Sequence, residues 1–374
     1  MSNPNLFATN HPSIDLGQTR ALIPLKYMSE AHLDVLLTNA QVHYLYPGQR
    51  LWRRGTMDGR SYFLLFGDLQ LEDANAESSL IKGRDIATPI TPAEPREYCV
   101  SAISDCALLS FDTEQVDKLL CWSQVSDYLH TVIARDRDMD EDVEWMMQVL
   151  HSNLFFKVPP INIKKIFKQM LVRLVEPGEC IIRQGEVGDQ CYFIKEGSAE
   201  VVRTGASGSK HLATVHAGRC FGEDALVNEA PRNASVTMVS KGVLMCLPKQ
   251  DFYRLLKAPE VPWVTLDELS CAVDTVVVDV RSEEEYSAGH YPGAVNLPLN
   301  LLAIKSRLLK PAVNYIIYCS TGRRAEAATY LLLEEGLSVK ALQASQQLFA
   351  SEKRKNLEVD LNYVLRDGRA VSGH

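Results

Sequence analysis

No run of eighteen or so uncharged apolar residues occurs anywhere in the chain, so no membrane-spanning helix is expected. The opening stretch from Met1 to Arg20 lacks the basic start and apolar run of a secretory signal. The expected setting is therefore cytoplasmic, with no membrane partner. Positive charge is also scarce: 39 Lys and Arg stand against 47 Asp and Glu, a net charge of −8. That balance argues against a nucleic-acid surface, which needs clustered cations to displace counterions. Any anion site must be local. The nine cysteines include no C-x-x-C pair, which disfavours both a disulfide frame and a zinc site and leaves reduced thiols. No metal is expected. What remains is a 374-residue chain that is 46% apolar and 23% charged, a soluble globular composition too long for one core and suited to two or three domains.

The stretch around which the chain is organised is Phe221 to Val236, FGEDALVNEAPRNASV. It sets Gly222-Glu223 at the start of a short helical turn and brings back Arg232 nine residues later, followed by Asn233, Ala234 and Ser235. Glu223 can accept from ribose hydroxyls, Arg232 can pair bidentately with a phosphate, and N–H groups after Gly222 can point at the same anion. A random Glu and Arg would more often form a surface ion pair. Here Phe221-Gly-Glu, Ala225-Leu, Pro231-Arg and Ala234-Ser-Val fall in one register that resembles the phosphate-binding cassette of cyclic-nucleotide-binding domains. The resemblance extends upstream through Glu176-Pro-Gly-Glu-Cys-Ile-Ile and Gly185 to Gly197. It implies a cAMP or cGMP effector held by Phe221, Gly222, Glu223, Ala225, Arg232, Asn233, Ala234 and Ser235. Asn233 leaves the choice between adenine and guanine open.

Residues 22 to 120 read as a shortened copy of residues 152 to 256. Pro47-Gly48, Gly55, Tyr62-Phe63 and Gly67 recur at one constant offset as Pro177-Gly178, Gly185, Tyr192-Phe193 and Gly197, an internal repeat whose glycines suit the corners of a β-roll. Beyond Gly67 the first copy is shorter. Pro95-Arg96 aligns with Pro231-Arg232, but Asp85-Ile86-Ala87-Thr88-Pro89 stands where the second copy has its F-G-E-D-A. Ala87 replaces the ribose-binding Glu, and Pro89, Pro92 and Pro95 oppose a regular continuation. The first roll is expected to serve packing or homodimer contacts, with Arg96 on its surface. Helical spacing predicts a long connecting helix from Val125 to Leu150, its acidic run Asp136 to Glu144 on the solvated face. It predicts a second helix through Ile163, Ile166, Phe167, Met170, Leu171 and Leu174.

The closing helix of the cyclic-nucleotide family is short here, limited to Gln250 to Lys257 before Pro259 and Pro262, and no helix-turn-helix follows. The composition then switches. Thr275 to Val280 and Asn314 to Tyr318 are continuous apolar runs of the parallel-sheet kind with helical segments between and after, an α/β pattern. The second run ends in Cys319-Ser-Thr-Gly-Arg-Arg324 and enters a helix over Ala325 to Glu335. A Cys there lies at the carboxyl end of a strand, where open α/β sheets place ligands, and the helix N-terminus and two guanidiniums would lower its pKa.

Asp279-Val-Arg281, Glu285-Tyr286, Gly289-His-Tyr-Pro-Gly-Ala-Val-Asn-Leu-Pro298 and the loop C-S-T-G-R-R together resemble a single-domain rhodanese. The resemblance implies that Cys319 accepts sulfane sulfur as a persulfide. Ser320, Thr321, Gly322, Arg323 and Arg324 would form its cradle, a small donor such as thiosulfate would supply the sulfur, and a thiol or protein would accept it. Asp279, Arg281 and His290 read as structural. Gln343-Ala344-Ser345 departs from the family's Gly-Gly turn. A cysteine phosphatase competes for the same loop but needs five residues between Cys and Arg, whereas four separate Cys319 from Arg324.

The expected architecture is multidomain α+β and α/β. A degenerate roll over 1–125, a cyclic-nucleotide-binding roll with its connecting helix over 126–258, a doubly wound rhodanese sheet over 262–355 and a tail over 356–374 follow one another. The expected function is a sulfurtransferase regulated by cyclic nucleotide, the alternative a non-catalytic sensor or persulfide carrier. The short linker from Arg254 to Val264 is expected to bring the rhodanese unit, with Trp263, over the nucleotide as a lid.

Overall fold

The computed structural model describes residues 16–83, 87–90, 94–133, 143–150, 162, 167, 169–206, 208–256, 260–349, 356–359 and 361–373. Its first half carries the repeat. One sheet of the first roll orders Gln41–Leu45, Cys106–Asp112 and Arg60–Phe66, and the second orders Arg50–Trp52, Cys99–Ala102, Asp68–Glu72 and Ser78–Lys82, all antiparallel. The second roll repeats both sheets, with a nine-residue strand, Gly208–His216, where the first has only the five residues Ser78–Lys82. That hairpin accounts for the shortening read from the sequence. Even the bulges match, at Leu64/Phe66 and Ile194/Glu196. The corner glycines are obligatory: Gly67 and Gly197 have φ of +92° and +93°, and a Cβ would come within 2.4 Å of Asp105 O and 2.8 Å of Lys241 O.

Two expectations about helices change. The stretch expected as a helix to Leu174 turns into strand Leu171–Val175, paired with the strand Gly242–Pro248. Leu-Val-Arg-Leu-Val satisfies either period, and the ladder with Gly242–Pro248 decides for the strand. Phe167 is helical, while Ile163 and Ile166 lie outside the described residues. The connecting helix begins earlier than Val125. It runs from Thr113 to Ile133, directly off strand Cys106–Asp112, and a separate helix spans Val143–Leu150. Residues 134–142, which hold most of the acidic run, lie outside the described residues.

The helix Thr113–Ile133 is the bridging element of the molecule. Val116, Leu119 and Leu120 pack into the first roll, whereas Cys121, Trp122, Val125, Tyr128 and Leu129 enter a core shared with the second roll and the C-terminal sheet. Being apolar on two faces, it is buried almost throughout, as such helices are. Trp145, on the following helix, donates its indole N–H to Ile194 O at 2.7 Å and so ties this core to the second roll.

The C-terminal sheet is parallel throughout, in the order Trp263–Val264, Ser338–Leu342, Asn314–Tyr318, Thr275–Asp279, Val295–Asn296. Alternate residues face opposite cores. Val276, Val278, Tyr315, Ile317 and Cys319 look toward the bridging helix, while Val277, Ile316 and Tyr318 look the other way. Burial on both sides explains the unbroken apolar runs. Residues 363–372, within the expected tail, form a hairpin instead: Tyr363, Leu365 and Ala370 pack on the core, and Tyr315 donates its hydroxyl to Gly368 O at 3.0 Å. No helix among the described residues is long and apolar enough to cross a membrane.

Candidate functional site

In the second roll the chain leaves strand Cys220–Phe221 through Gly222, with φ of +84°, into the five-residue helix Glu223–Val227. A Cβ on Gly222 would lie 2.7 Å from both Arg232 Nη1 and Ile182 Cδ1, so backbone conformation and close approach both require glycine. Arg232 is buried beneath this turn. Its Nη1 donates to Gly222 O at 2.6 Å, and its Nη2 donates to Gln190 O at 2.6 Å and to Asp189 Oδ1 at 3.2 Å. Three of five N–H groups thereby fix the guanidinium in orientation. A cavity of ≈180 Å³ opens beside it, bounded by Phe221, Gly222, Glu223, Ala225, Arg232, Asn233 and Ala234, with Ile182, Val201 and Val215 as apolar walls. Ser235 is not among the lining residues; its hydroxyl accepts from the Gln184 N–H at 3.0 Å. The apolar walls and the Asp189 anchor were not singled out from sequence, since strand interiors give no local signal of which ligand they face.

Arg96 occupies the repeat-equivalent place, and the expectation that it lies on the surface is wrong. It is 1% exposed. Its N–H donates to Thr56 O and its carbonyl accepts from the Gly55 N–H, as Arg232 does with Glu186 and Gly185. The guanidinium donates to Asp58 Oδ1 at 2.7 Å and to Arg60 O, and stands 4.6 Å from the Trp52 ring centre and 5.4 Å from that of Tyr62. Cation–π contact and an ion pair make burial favourable there. Ala87, in place of the glutamate, accepts at its carbonyl from the Ile23 N–H at 2.8 Å; Asp85 and Ile86 lie outside the described residues.

Cys319 follows the strand Asn314–Tyr318 and precedes the helix Arg323–Glu334, whose N-cap Gly322 has φ of +108°. Its Sγ accepts from the Gly322 N–H at 3.1 Å and the Ala325 N–H at 3.4 Å. The thiol is nonetheless fully buried, and that burial raises its pKa against the pull of Arg324. The expected lowering is therefore not met, because the cost of burial exceeds the pull of Arg324 and of the loop N–H groups. Arg324, 2% exposed, donates Nη1 to Glu285 Oε2 at 2.7 Å and Nη2 to Glu285 Oε1 at 2.8 Å. Burial opposes ionisation of Glu285, but the Arg324 charge and hydrogen bonds outweigh it and hold the carboxyl at about 2. A capping box between Ser282 and Glu285 fixes that carboxylate at the start of helix Glu283–Ser287. Ser320 bridges the pair, donating to Glu285 Oε1 at 3.3 Å and accepting from Arg324 Nη2 at 3.4 Å.

Arg323 turns out of the cradle toward the bridging helix. Its Nε lies 3.3 Å from Asp117 Oδ2 and its Nη2 3.5 Å from Glu114 Oε1. Burial pushes the Asp117 carboxyl up, opposed by Arg324, by a hydrogen bond with Thr321 and by Arg323. Cys121 Sγ sits 3.9 Å from Arg323 O. A cleft of ≈910 Å³ lies between the two units, with Thr321, Gly322 and Arg323 along it and Glu114, Asp117 and Trp263 among its walls. Trp263 thus faces the Cys319 loop and is absent from the lining of the nucleotide cavity, contrary to the expected lid. The bridging helix packs on the face of the C-terminal sheet that carries Cys319. Ala344, where the rhodanese family has glycine, lines this cleft and keeps a left-handed φ of +51°.

The remaining motif residues are tied to one another. Asp279 and Arg281 are buried together, with Arg281 Nη2 donating to Asp279 Oδ2 at 2.7 Å and to Gly289 O at 2.7 Å. His290 is buried against Tyr286, ring centres 3.7 Å apart.

Residues 172–258 match the family described as "Cyclic nucleotide-binding domain", and residues 264–351 match the family described as "Rhodanese-like domain". The chain is 42% identical over 92 residues to a cAMP-dependent protein kinase regulatory subunit of Yarrowia lipolytica, covering 25% of this chain and 24% of that one. It is 28% identical over 216 residues to the corresponding subunit of Mycosarcoma maydis, covering 55% of this chain and 37% of the relative. The chain thus spans about a quarter of the length of the first of these relatives. Among solved structures, the regulatory domain of Toxoplasma gondii PKA with cAMP aligns at 21% identity and a TM-score of 0.25, over 66% of this chain and 95% of that one.

Proposed function

Since the chain joins a cyclic nucleotide-binding domain at 172–258 to a rhodanese-like domain at 264–351, we propose that it is a sulfurtransferase whose Cys319 carries sulfane sulfur under the control of a cyclic nucleotide bound in the second roll. The observation that carries this reading is the pair of backbone N–H groups, from Gly322 and Ala325, aimed at Cys319 Sγ. Such donors stabilise a sulfur anion without a proton. The Cys319 thiolate attacks the outer sulfur of a donor R–S–S⁻, forming Cys–S–S⁻ and releasing RS⁻. An acceptor thiolate R′S⁻ then takes the terminal sulfur as R′S–S⁻ and returns the Cys319 thiolate.

The effector fits the second roll. Arg232, held rigid beneath Gly222, faces a cavity that Glu223 also lines, so a cyclic phosphate and ribose hydroxyls find the partners their chemistry needs. The relatives named as cAMP-dependent make cAMP the first nucleotide to test, with cGMP beside it. The nine cysteines, all free thiols, suit a reducing cytoplasmic setting. A second reading, a nucleotide sensor without turnover, draws on the complete burial of Cys319 and the engagement of Arg324 by Glu285.

The test loads the full chain with thiosulfate and, separately, with a neutral organic trisulfide, in the presence and absence of each nucleotide. Thiosulfate should leave a one-sulfur mass increase on the Cys319 peptide with release of sulfite, and a trisulfide RSSSR the mixed adduct Cys–S–S–S–R with release of RS⁻, both absent from Cys319→Ser and altered in rate by nucleotide. Loading that persists in Cys319→Ser removes the assignment; loading indifferent to a bound nucleotide leaves the two sites merely tethered.

A further inference from the structure

The charges around the Cys319 loop are not those of a site built for anions. Arg324 is spent on Glu285. Arg323, the other cation of the cradle, is drawn to Asp117 and Glu114. Asp112, Glu114, Asp117 and Glu326 line the same cleft, so an approaching donor meets four carboxylates and one guanidinium, that of Arg323, which is already paired. Asp117 is the centre of this arrangement. It comes from the bridging helix and not from the rhodanese-like domain, is 8% exposed, and engages both Thr321 and Arg323.

We propose that Asp117 determines donor specificity at the Cys319 site. By holding Arg323 and Thr321 on the helix side of the cleft, it makes the site favour neutral or cationic sulfane-sulfur donors over anions such as thiosulfate. The proposal rests on the sulfurtransferase reading for its substrate class. Its physical content is that carboxylates lining the cleft repel an entering anion relative to a neutral donor. Asp117 acts on the donor through the orientation of Arg323 and through its own charge, and so is not a catalytic residue.

The charge effect can be read without sulfur transfer. Full-length protein is alkylated with neutral iodoacetamide or anionic iodoacetate, and the rates at Cys319 are followed by peptide mass spectrometry, with the exposed Cys271 of the same chain as internal reference. Asp117→Asn removes one charge with little change of shape and releases Arg323. The iodoacetate-to-iodoacetamide rate ratio at Cys319 should rise about tenfold while that at Cys271 stays fixed. Arg323→Gln leaves Asp117 unneutralised and should lower the ratio, which keeps the idea testable should Asp117→Asn fail to fold. In donor kinetics, Asp117→Asn should lower KM for thiosulfate and leave the neutral trisulfide unchanged. A merely structural Asp117 would speed both reagents together at constant ratio, and that result overturns the proposal. So does a Cys319 that neither reagent labels in either protein while Cys271 reacts fully, since a site closed to both charges selects neither. If the ratio shifts as stated but no donor loads sulfur, the charge assignment stands and the sulfurtransferase reading falls.

Discussion

Arg96 and Arg232 occupy equivalent places in the two rolls, and replacing each by alanine separates support from ligand binding. Arg96 donates to Asp58 and to the Arg60 carbonyl and packs against Trp52 and Tyr62. Arg96→Ala breaks a buried ion pair from one side, which typically costs about 3–5 kcal/mol. Asp58 is partly exposed and can rehydrate, so the lower end, about 3 kcal/mol, is expected. Because the chain has several cooperative parts, the loss is best read locally, by amide hydrogen exchange. Exchange in strand Arg60–Phe66 should accelerate by about a hundredfold, since each 1.4 kcal/mol is a factor of ten, while strand Gln190–Glu196 keeps its protection. Cyclic-nucleotide affinity, measured by calorimetry, should change less than about twofold. In Arg232→Ala the lost phosphate partner should weaken binding by about thirtyfold or more, from a typical 2–5 kcal/mol. Strand Gln190–Glu196 should loosen as well, because Gln190 O loses its donor. Equal losses of affinity from the two substitutions would refute the reasoning, since the first roll would then bind nucleotide.

Gly222→Ala places a methyl 2.7 Å from Arg232 Nη1 at a φ of +84°; nucleotide binding should fall below detection in calorimetry, with local exchange faster around Arg232. Glu285→Gln leaves the buried Arg324 without its counter-charge, and the stability of the rhodanese-like domain should drop by about 3–5 kcal/mol in exchange measured on helix Arg323–Glu334. The same carboxylate sets an acid limit. Its folded pKa of about 2 lies below the ordinary 4.5, so its contribution is complete above pH 4.5 and disappears as pH falls toward 2, a slope that Glu285→Gln should lack.

The legible part of this protein was the part written locally. Gly48, Gly55 and Gly67 with their counterparts mark corners that only glycine fills, and the alternation of Val276 to Val280 against two cores explains why the strand reads as one apolar run. The cassette from Phe221 to Ala234 closes on itself within one short stretch, so the residues that the family resemblance implied line one cavity, Ser235 excepted. Failures came where a partner is distant in sequence. Arg96 is buried because Asp58 and Trp52 meet it, and Arg323 leaves its cradle because Asp117 arrives from a helix some two hundred residues earlier. The tail was misjudged for the same reason, its Tyr363 and Gly368 being held by His290 and Tyr315. Leu171 to Leu174 failed differently, since Leu-Val-Arg-Leu fits both periods and the ladder with Gly242–Pro248 decides.

The last helix of the first roll is also a wall of another module. Trp122, Val125 and Leu129 share a core with Val278, Ile317 and Cys319, so the tolerance of these positions to substitution is set by the parallel sheet and not by the roll to which they are attached. A polar residue at Val125 would damage the module that carries Cys319 while leaving the glycine corners of the first roll intact. The packing unit in this chain is therefore larger than either domain, and its seam runs through the middle of a helix.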